Sequence, residues 1–259
     1  MLRSPLFWLI LGAVAVAAAL AWFTVNRGAS VRSGPAAASE HYALAPFHDV
    51  EIGGSAEVVL MQGGVEAIDV EAGARTVVEA TVSEGRLVIR ARDRRRWWHR
   101  LFGHKTTESP GITVHLRTLD KLALTGNVRV SAPRLRTEAL RIAASGGANL
   151  TIDDLQATTL RVDGSGALKA DIAGRVEDEY VSISGAVDYR AERLRATNAT
   201  VSVSGVANVV VHAERKLRAS ISGAGLIEYL GAPEVVENVS GMGRVRRRDS
   251  SAMPGMRVA

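Results

Sequence analysis

A Ser-Gly dipeptide recurs through the C-terminal half of the chain, and apolar and polar residues alternate on both sides of each copy. The first copy has Thr125 in place of serine, a change that keeps the hydroxyl group. Successive glycines are 20, 20, 19, 20, 18 and 18 residues apart. A fixed period of this length is typical of an architecture built from stacked repeats. The repeated glycines are Gly126, Gly146, Gly166, Gly185, Gly205, Gly223 and Gly241.

The alternation inside each repeat has a period of two. Positions two and four before each glycine, and four after it, are apolar in most copies, whereas the position three after it is mostly polar. A period of two indicates β-strands with one buried face. No coil of about twenty residues can bury its own apolar face, so the copies must stack about 4.8 Å apart, the distance between hydrogen-bonded strands. The pattern predicts an all-β fold, a parallel β-solenoid whose even offsets face inward.

The Ser-Gly pair is interpreted as a corner of the coil. The glycine occupies an inward position where the chain must bend, and glycine tolerates a bend that a Cβ atom would obstruct. The serine then points outward, where its hydroxyl group can exchange hydrogen bonds with the serine of the next coil. A serine nucleophile is the functional alternative, but the sequence has no G-x-S-x-G motif. We therefore expect the seven glycines to be structural corners.

The two ends of the repeat region differ. Residues 46–91 carry further short strand patterns separated by turn signals, and this block is expected to cap or extend the first end. At the far end, four arginines between residues 244 and 248 are expected to discourage end-to-end pairing. Residues 249–259 are expected to form a disordered tail. The solenoid domain is therefore predicted over residues 46–248.

The N-terminus predicts a membrane-targeting segment. Residues 6–25 form an uncharged run of twenty residues, preceded by Arg3. Twenty helical residues span about 30 Å, the thickness of a bilayer's hydrocarbon core. Trp8 and Trp22 lie near the two ends of the run, where aromatic rings favour the membrane interface. Residues 1–25 are therefore predicted to be a transmembrane anchor.

A cleaved signal peptide is the alternative for this segment, with Ala19-Leu20-Ala21 at its cleavage site. Either interpretation places the remaining chain outside the cytoplasm. Residues 26–45 are small and polar and are predicted to be a flexible linker.

The net charge of +5 is unevenly distributed. Residues 92–105 contain six Arg or Lys against one Asp, and residues 244–259 contain five Arg against one Asp, so the remaining body is mildly acidic. A nucleic-acid-binding domain would instead carry its positive charge over one face, and no nucleic-acid partner is expected. The chain has no cysteine, which excludes disulfide frameworks, Cys-ligated zinc and thiol nucleophiles.

A basic and aromatic loop over residues 92–110 is the one unusual segment. Arginines beside tryptophans suit a membrane surface, where cations contact lipid phosphates and indole rings lie among the headgroups. An anionic glycan or another polyanion would fit the same composition, and a structural role as a cover for one side of the solenoid is the plainer alternative. The candidate patch consists of Arg94, Arg95, Arg96, Trp97, Trp98, Arg100 and Lys105.

We expect no catalytic residue, no cofactor and no metal site. His99 and His104 have no neighbouring carboxylate, so they do not form a metal-binding motif. Parallel β-helices can also be polysaccharide-active enzymes, and this is the alternative function. Three or more carboxylates converging in an outer groove would favour it, but the aspartates near the corners are scattered along the sequence. Acidic side chains, Glu138 for example, are expected to lie near the stacked cations Arg141 and Arg161.

Four stretches of sequence resemble a known family: "FHDVEIGGSAEVVLMQGG", "LDKLALTGNVRV", "SISGA" and "VSVSGVANVVV". They are similar to the head GIN-domain family of putative auto-transporter adhesins over about residues 46–245. The resemblance implies an exported, right-handed β-helical domain of the bacterial cell envelope, without a catalytic motif. It favours a binding, adhesin-like or scaffolding module.

Combined with the N-terminal anchor, this predicts a periplasmic protein tethered to the inner membrane, with a secreted or cell-surface protein as the alternative. The expected partners are the membrane and an envelope protein or glycan. The oligomeric state is left open.

Overall fold

The computed structural model describes residues 30–32, 40–71, 76–93 and 111–248. These residues form seventeen strands, and none of them belongs to a helix that could span a membrane. The predicted anchor over residues 1–25 lies outside the described residues. The strands are β1 (Ser30–Arg32), β2 (Glu40–Ala43), β3 (Asp49–Gln62), β4 (Ala67–Glu71), β5 (Thr76–Ser83), β6 (Arg86–Asp93), β7 (Gly111–Leu116), β8 (Lys121–Ala132), β9 (Leu135–Arg136), β10 (Ala139–Ala144), β11 (Gly147–Gly164), β12 (Ala167–Ile183), β13 (Ala186–Val203), β14 (Val206–Ile221), β15 (Ala224–Leu230), β16 (Glu234–Val239) and β17 (Met242–Arg247).

The C-terminal half is a β-solenoid of about six turns, as the repeat predicts. Strands β8 to β17 pair in parallel from coil to coil, and the register follows the repeat: Leu150 pairs with Ala170, which pairs with Tyr189. Each coil has two long strand segments that meet at the Ser-Gly corner. Each coil also has a third, shorter segment, which begins at Leu135, Leu155 or Leu194 in three of the coils.

The block before the repeat both extends and caps the solenoid. Strand β3 pairs in parallel with β8 and places Gly54 opposite Gly126, so residues 49–62 form one more coil. The coil beyond it is assembled from two strands: β6 pairs with the first half of β3, and β7 pairs with the second half. The chain therefore leaves this outermost coil after Asp93 and returns at Gly111, at the corner position.

Antiparallel strands cover this first end of the solenoid. Strand β5 pairs with β6 and β1 with β5, while β4 pairs with β7 and β2 with β4. The edge strands of the first end are thus hydrogen-bonded partners, which protects them from pairing with other chains. Strands β1 and β2, which lie within the linker predicted over residues 26–45, belong to this cap.

The core is almost entirely aliphatic, as the scarcity of aromatic residues requires. The inward columns predicted from the period of two are buried through the stack; those four before each corner glycine are Leu122, Ile142, Val162, Val181, Val201 and Ala219. Phe47 and Tyr189 are the aromatic side chains among the buried hydrophobic residues of the described chain. Coil stacking therefore supplies a continuous apolar interior from β6 to β15.

The corner glycines are required for a different reason from the one expected. They are not buried inside the coil; instead the missing Cβ atom faces the neighbouring coil along the solenoid axis. A Cβ atom on Gly185 would lie closer than 3.0 Å to the carbonyl oxygen of Gly166, and the same clash recurs at Gly205 and Gly223. Only Gly54 and Gly126 among the stacked corners have φ in the left-handed region. The corner thus needs glycine mainly because two backbones approach closely.

The serine hydroxyl groups also bond differently from the expected serine-to-serine contact. Ser165 Oγ donates a hydrogen bond to the carbonyl oxygen of Ala144 at 3.4 Å, and Ser204 Oγ donates one to Ile183 at 3.2 Å. In the variant first corner, Thr125 Oγ1 donates to the carbonyl oxygen of Ile52 at 3.3 Å. At these three corners the hydroxyl group therefore ties the corner to the backbone of the preceding coil.

One carboxyl group interrupts the apolar interior. Glu179 is buried in a column between Leu160 and Ala199, and the hydroxyl group of buried Tyr189 donates a 2.6 Å hydrogen bond to its Oε1. Its Oε2 has no hydrogen-bond partner among the described residues. Burial raises the pKa of Glu179 to about 7, and the bond from Tyr189 opposes this rise. Burial, together with the neighbouring carboxyl group, also raises the pKa of the Tyr189 hydroxyl group.

We expect Gly185→Val to destabilise the fold by about 3 kcal/mol, because a side chain there must displace the backbone of the preceding coil. Gly63→Val is the matched control, since no atom lies within 4 Å of the position of its Cβ. Urea unfolding followed by circular dichroism measures both. Equal stabilities for the two variants would contradict backbone-to-backbone stacking at the corners.

The buried carboxyl group predicts a stability that falls as pH rises. The pKa of Glu179 in the folded protein, about 7, lies above the ordinary value of 4.5, so the folded state holds this proton more tightly. The contribution of Glu179 to the free energy of unfolding should therefore be highest below pH 4.5, decrease by about 3 kcal/mol up to about pH 7, and be level above it. Glu179→Gln should lose this component of the pH dependence in denaturant titrations at pH 5 and pH 8. The same pH dependence in both proteins would show that Glu179 is not the group responsible.

Candidate functional site

A long groove runs parallel to the solenoid axis beside the Ser-Gly corners. It crosses the outer face of β8, β11, β12, β13, β14, β15 and β17, and its volume is about 840 Å³. Seven stacked strands give six steps of about 4.8 Å, or roughly 29 Å of length. Its outer column consists of the residues directly after the corner glycines: Asn127, Gly147, Ala167, Ala186, Val206, Ala224 and Met242.

Small side chains in this column produce the groove. Because they are short, the next residues inward, such as Leu168 and Val187, form its floor while remaining almost fully buried. Two larger apolar side chains of the column are strongly exposed, Val206 at 65% and Met242 at 85%. The inner strands of this face are hydrogen-bonded on both sides. The groove therefore offers side-chain contacts and no free backbone donors or acceptors along its middle.

The opposite rim of the groove is polar. It includes Asn149, Lys169, Asp188 and Asn208. Asp188 accepts hydrogen bonds from Arg190 at 2.9 and 3.3 Å, so its charge is already balanced. It is the one carboxylate among the residues that line this groove. Three converging carboxylates, the arrangement expected of a polysaccharide-active enzyme, are not assembled here.

The C-terminal end of the groove continues into a smaller basic cavity. This cavity has a volume of about 480 Å³ and shares Leu226 and Met242 with the groove. Arg244 and Arg246 also line it. Arg246 is bound to Glu228 at 2.6 Å, whereas Arg244 has no ion pair among the described residues. The C-terminal end of the groove therefore carries positive charge.

Two stacked outward cations, Arg141 and Arg161, are balanced by an acid, as expected. Asp163 bridges Arg141 at 3.0 Å and Arg161 at 3.3 Å. The acid is Asp163 and not the suggested Glu138. It lies between the two cations of adjacent coils and replaces their repulsion with two ion pairs.

A histidine–aspartate cluster lies on the cap, away from the groove. Asp69 of β4 contacts His41 Nδ1 at 2.5 Å and His115 Nε2 at 2.9 Å, which links β2, β4 and β7. The hydrogen bond from His41 is the main cause that lowers the pKa of Asp69. The described residues contain no group of three or more side chains arranged to hold a metal ion.

The basic and aromatic patch predicted from sequence lies outside the described residues. Its members are Arg94, Arg95, Arg96, Trp97, Trp98, Arg100 and Lys105. The described chain leaves at Asp93 and returns at Gly111, on the same edge of the solenoid as the groove and two coils from Asn127. Sequence reasoning missed the groove itself. The column of small residues directly after each glycine was the available signal.

Comparison with solved structures finds bacterial proteins with a similar fold. A crystal structure of a putative adhesin from Bacteroides fragilis matches with a TM-score of 0.72 and 19% identity over 83% of this chain and 100% of the other. A putative lipid binding protein from Parabacteroides distasonis gives a TM-score of 0.59 and 16% identity over 82% and 96%. A putative adhesin from Parabacteroides merdae gives 0.57 and 18% over 82% and 96%. No curated protein sequence matches.

These identities establish a shared fold. The model of one protein family, described as putative auto-transporter adhesin, head GIN domain, matches residues 46–233. The match begins just before β3 and ends just before β16, and so includes β4 and β5 of the cap, the insertion and most of the solenoid. The chain therefore belongs to the head GIN-domain family of putative auto-transporter adhesins.

Proposed function

We propose that this protein is a non-catalytic lipid-binding domain of the cell envelope, which holds an acyl chain in the groove beside its Ser-Gly corners. The observation that carries the proposal is the groove, continuous over seven strands and lined by glycine, alanine, valine, leucine and methionine, with a polar rim along one side. Burial of apolar surface would supply the binding free energy, at about 25 cal/mol per Å².

The dimensions of the groove suit a single acyl chain. A bilayer's hydrocarbon core of about 30 Å contains two leaflets, so one chain extends about 15 Å. The groove, at roughly 29 Å, accommodates this length. The positive charge of Arg244 at one end would suit an anionic headgroup.

Other ligand classes fit this groove less well. The residues lining it include no aromatic side chain on which a sugar ring could stack. An extended peptide would need free backbone groups at a strand edge, and the middle strands of this face are already paired on both sides. Catalysis on a polysaccharide lacks support, because Asp188, the lining carboxylate, is bound by Arg190.

The wider setting of the proposal is an exported, right-handed solenoid. Parallel strand connections are right-handed in about 98% of cases. The apolar run over residues 6–25 would anchor the chain in the inner membrane, with the domain in the periplasm. The basic and aromatic segment would contact lipid headgroups on the same edge as the groove. The name of the Parabacteroides distasonis relative, putative lipid binding protein, agrees with a lipid ligand.

A fluorescent single-chain fatty acid tests the proposal. A fragment starting at residue 30, verified as folded by circular dichroism, is titrated with this probe. We expect saturable binding that Val206→Glu weakens at least tenfold, because a carboxylate would lie in the middle of the apolar strip. Val206 is 65% exposed, so the substitution should leave the fold intact.

Val65→Glu is the matched control. Val65 is exposed to a similar degree, at 60%, but lies in the turn between β3 and β4, away from the groove. Its variant should bind the probe like the natural sequence. Absence of saturable binding, or equal losses in both variants, would contradict the proposed site.

A further inference from the structure

The two ends of the solenoid are built differently. Four antiparallel strands cover the first end, whereas the last coil, β16 and β17, has neighbours on one side only among the described residues. Strand β16 pairs with β14, and β17 pairs with β15. Their outer backbone N–H and C=O groups form two adjoining edges that face along the axis. Such edges are templates for another strand.

Apolar side chains are concentrated at this open end. Val236, Val239 and Met242 are 54%, 40% and 85% exposed. Val239 stacks on Ile221 in the inward column. Ile221 is fully buried, whereas Val239 at the end of the stack is not. The apolar surface of every inner coil is covered by the next coil. The last coil has no next coil among the described residues, so its apolar surface stays uncovered.

The two edges carry opposite charges. Strand β16 has Glu234 and Glu237, and β17 has Arg244, Arg246 and Arg247. Arg246 is held by Glu228 of the preceding coil at 2.6 Å. The two glutamates and the other two arginines have no ion pair among the described residues. One edge is therefore acidic and the adjoining edge is basic.

We propose that this open end binds the open end of a second copy of the chain. A two-fold axis through the Ser240-Gly241 corner would place β16 of one copy antiparallel to β17 of the other, and the reverse. Such a contact is isologous, so the acidic edge of each copy meets the basic edge of the other. It would complete the backbone hydrogen bonds of both edges and cover Val239, which continues the inward column.

The charge pattern in the fold allows end-to-end pairing, although the sequence alone led us to expect that the arginines would discourage it. That expectation counted the arginines near residue 246 as mutually repulsive. In the fold, Arg246 is neutralised by Glu228 and Arg248 by Glu192 at 3.0 Å, while the acidic strand lies beside them. Strands β1 and β2 belong to the capped end, which is the opposite end of the solenoid from this contact.

Disulfide trapping on the full chain in detergent tests this contact, because the natural sequence has no cysteine. Ser240→Cys places a thiol next to the proposed two-fold axis, where two copies would bring their Cα atoms within the about 4.4–6.8 Å that a disulfide spans. Ser222→Cys is the matched control, in the same column one coil further back. Its two copies would be roughly 14 Å apart, three strand spacings. We expect a covalent dimer from Ser240→Cys and none from Ser222→Cys.

Charge exchange between the edges makes the test specific. In the Ser240→Cys background, Glu234→Arg with Glu237→Arg makes both edges basic, and Arg244→Glu with Arg247→Glu makes both acidic. Each protein alone should lose the cross-linked dimer, and an equal mixture of the two should recover it. All four side chains are exposed, so these changes should leave the coil folded.

The proposal is overturned if Ser240→Cys gives no dimer, if Ser222→Cys cross-links equally, or if mixing fails to restore the dimer. A dimer that forms only after residues 249–259 are deleted would also overturn it for the natural chain, since the chain's own C-terminal segment would then be the occupant of this end.

Discussion

Close approach of backbones at the Ser-Gly corners is the constraint on which the rest of the structure depends. Each corner amide donates to a carbonyl of the preceding coil at about 3 Å: Ala186 to Gly166, and Val206 to Gly185. No Cβ atom fits between these backbones. A coil that needs glycine once therefore needs it at every turn, and the resulting register aligns the inward columns that form the core.

The same constraint creates the surfaces to which a function is assigned. Side chains directly after the corner lie on an outer face where small residues leave a continuous groove. The outermost coil is interrupted at its corner, between Asp93 and Gly111, so an insertion of any composition can be accepted there without disturbing the strands. The stack must also end. One end is closed by the antiparallel cap, and the other presents two edges of opposite charge.

The sequence predicts the architecture well because repetition and period are statistical properties of many residues. The parallel stacking and the inward columns follow from it, as does the role of residues 46–91. The structural details that the sequence could not predict depend on contacts between distant segments. The direction of the missing Cβ at Gly185, the ion pairs of Asp163 and the assembly of one coil from β6 and β7 are examples. The alternation places Glu179 at an even, inward offset, six residues before Gly185. It does not show that the Glu179 carboxyl group is bound by Tyr189, ten residues away across the interior.

Amide hydrogen exchange at the corners tests the central claim most directly. The amides of Ala167, Ala186, Val206 and Ala224 each donate to a corner glycine of the preceding coil at 3.0 Å. Backbone stacking predicts that these four amides exchange as slowly as the strand residues beside them, because they open only when coils separate. Exchange as rapid as that of the exposed turn between β3 and β4, with the flanking strands still protected, would contradict it.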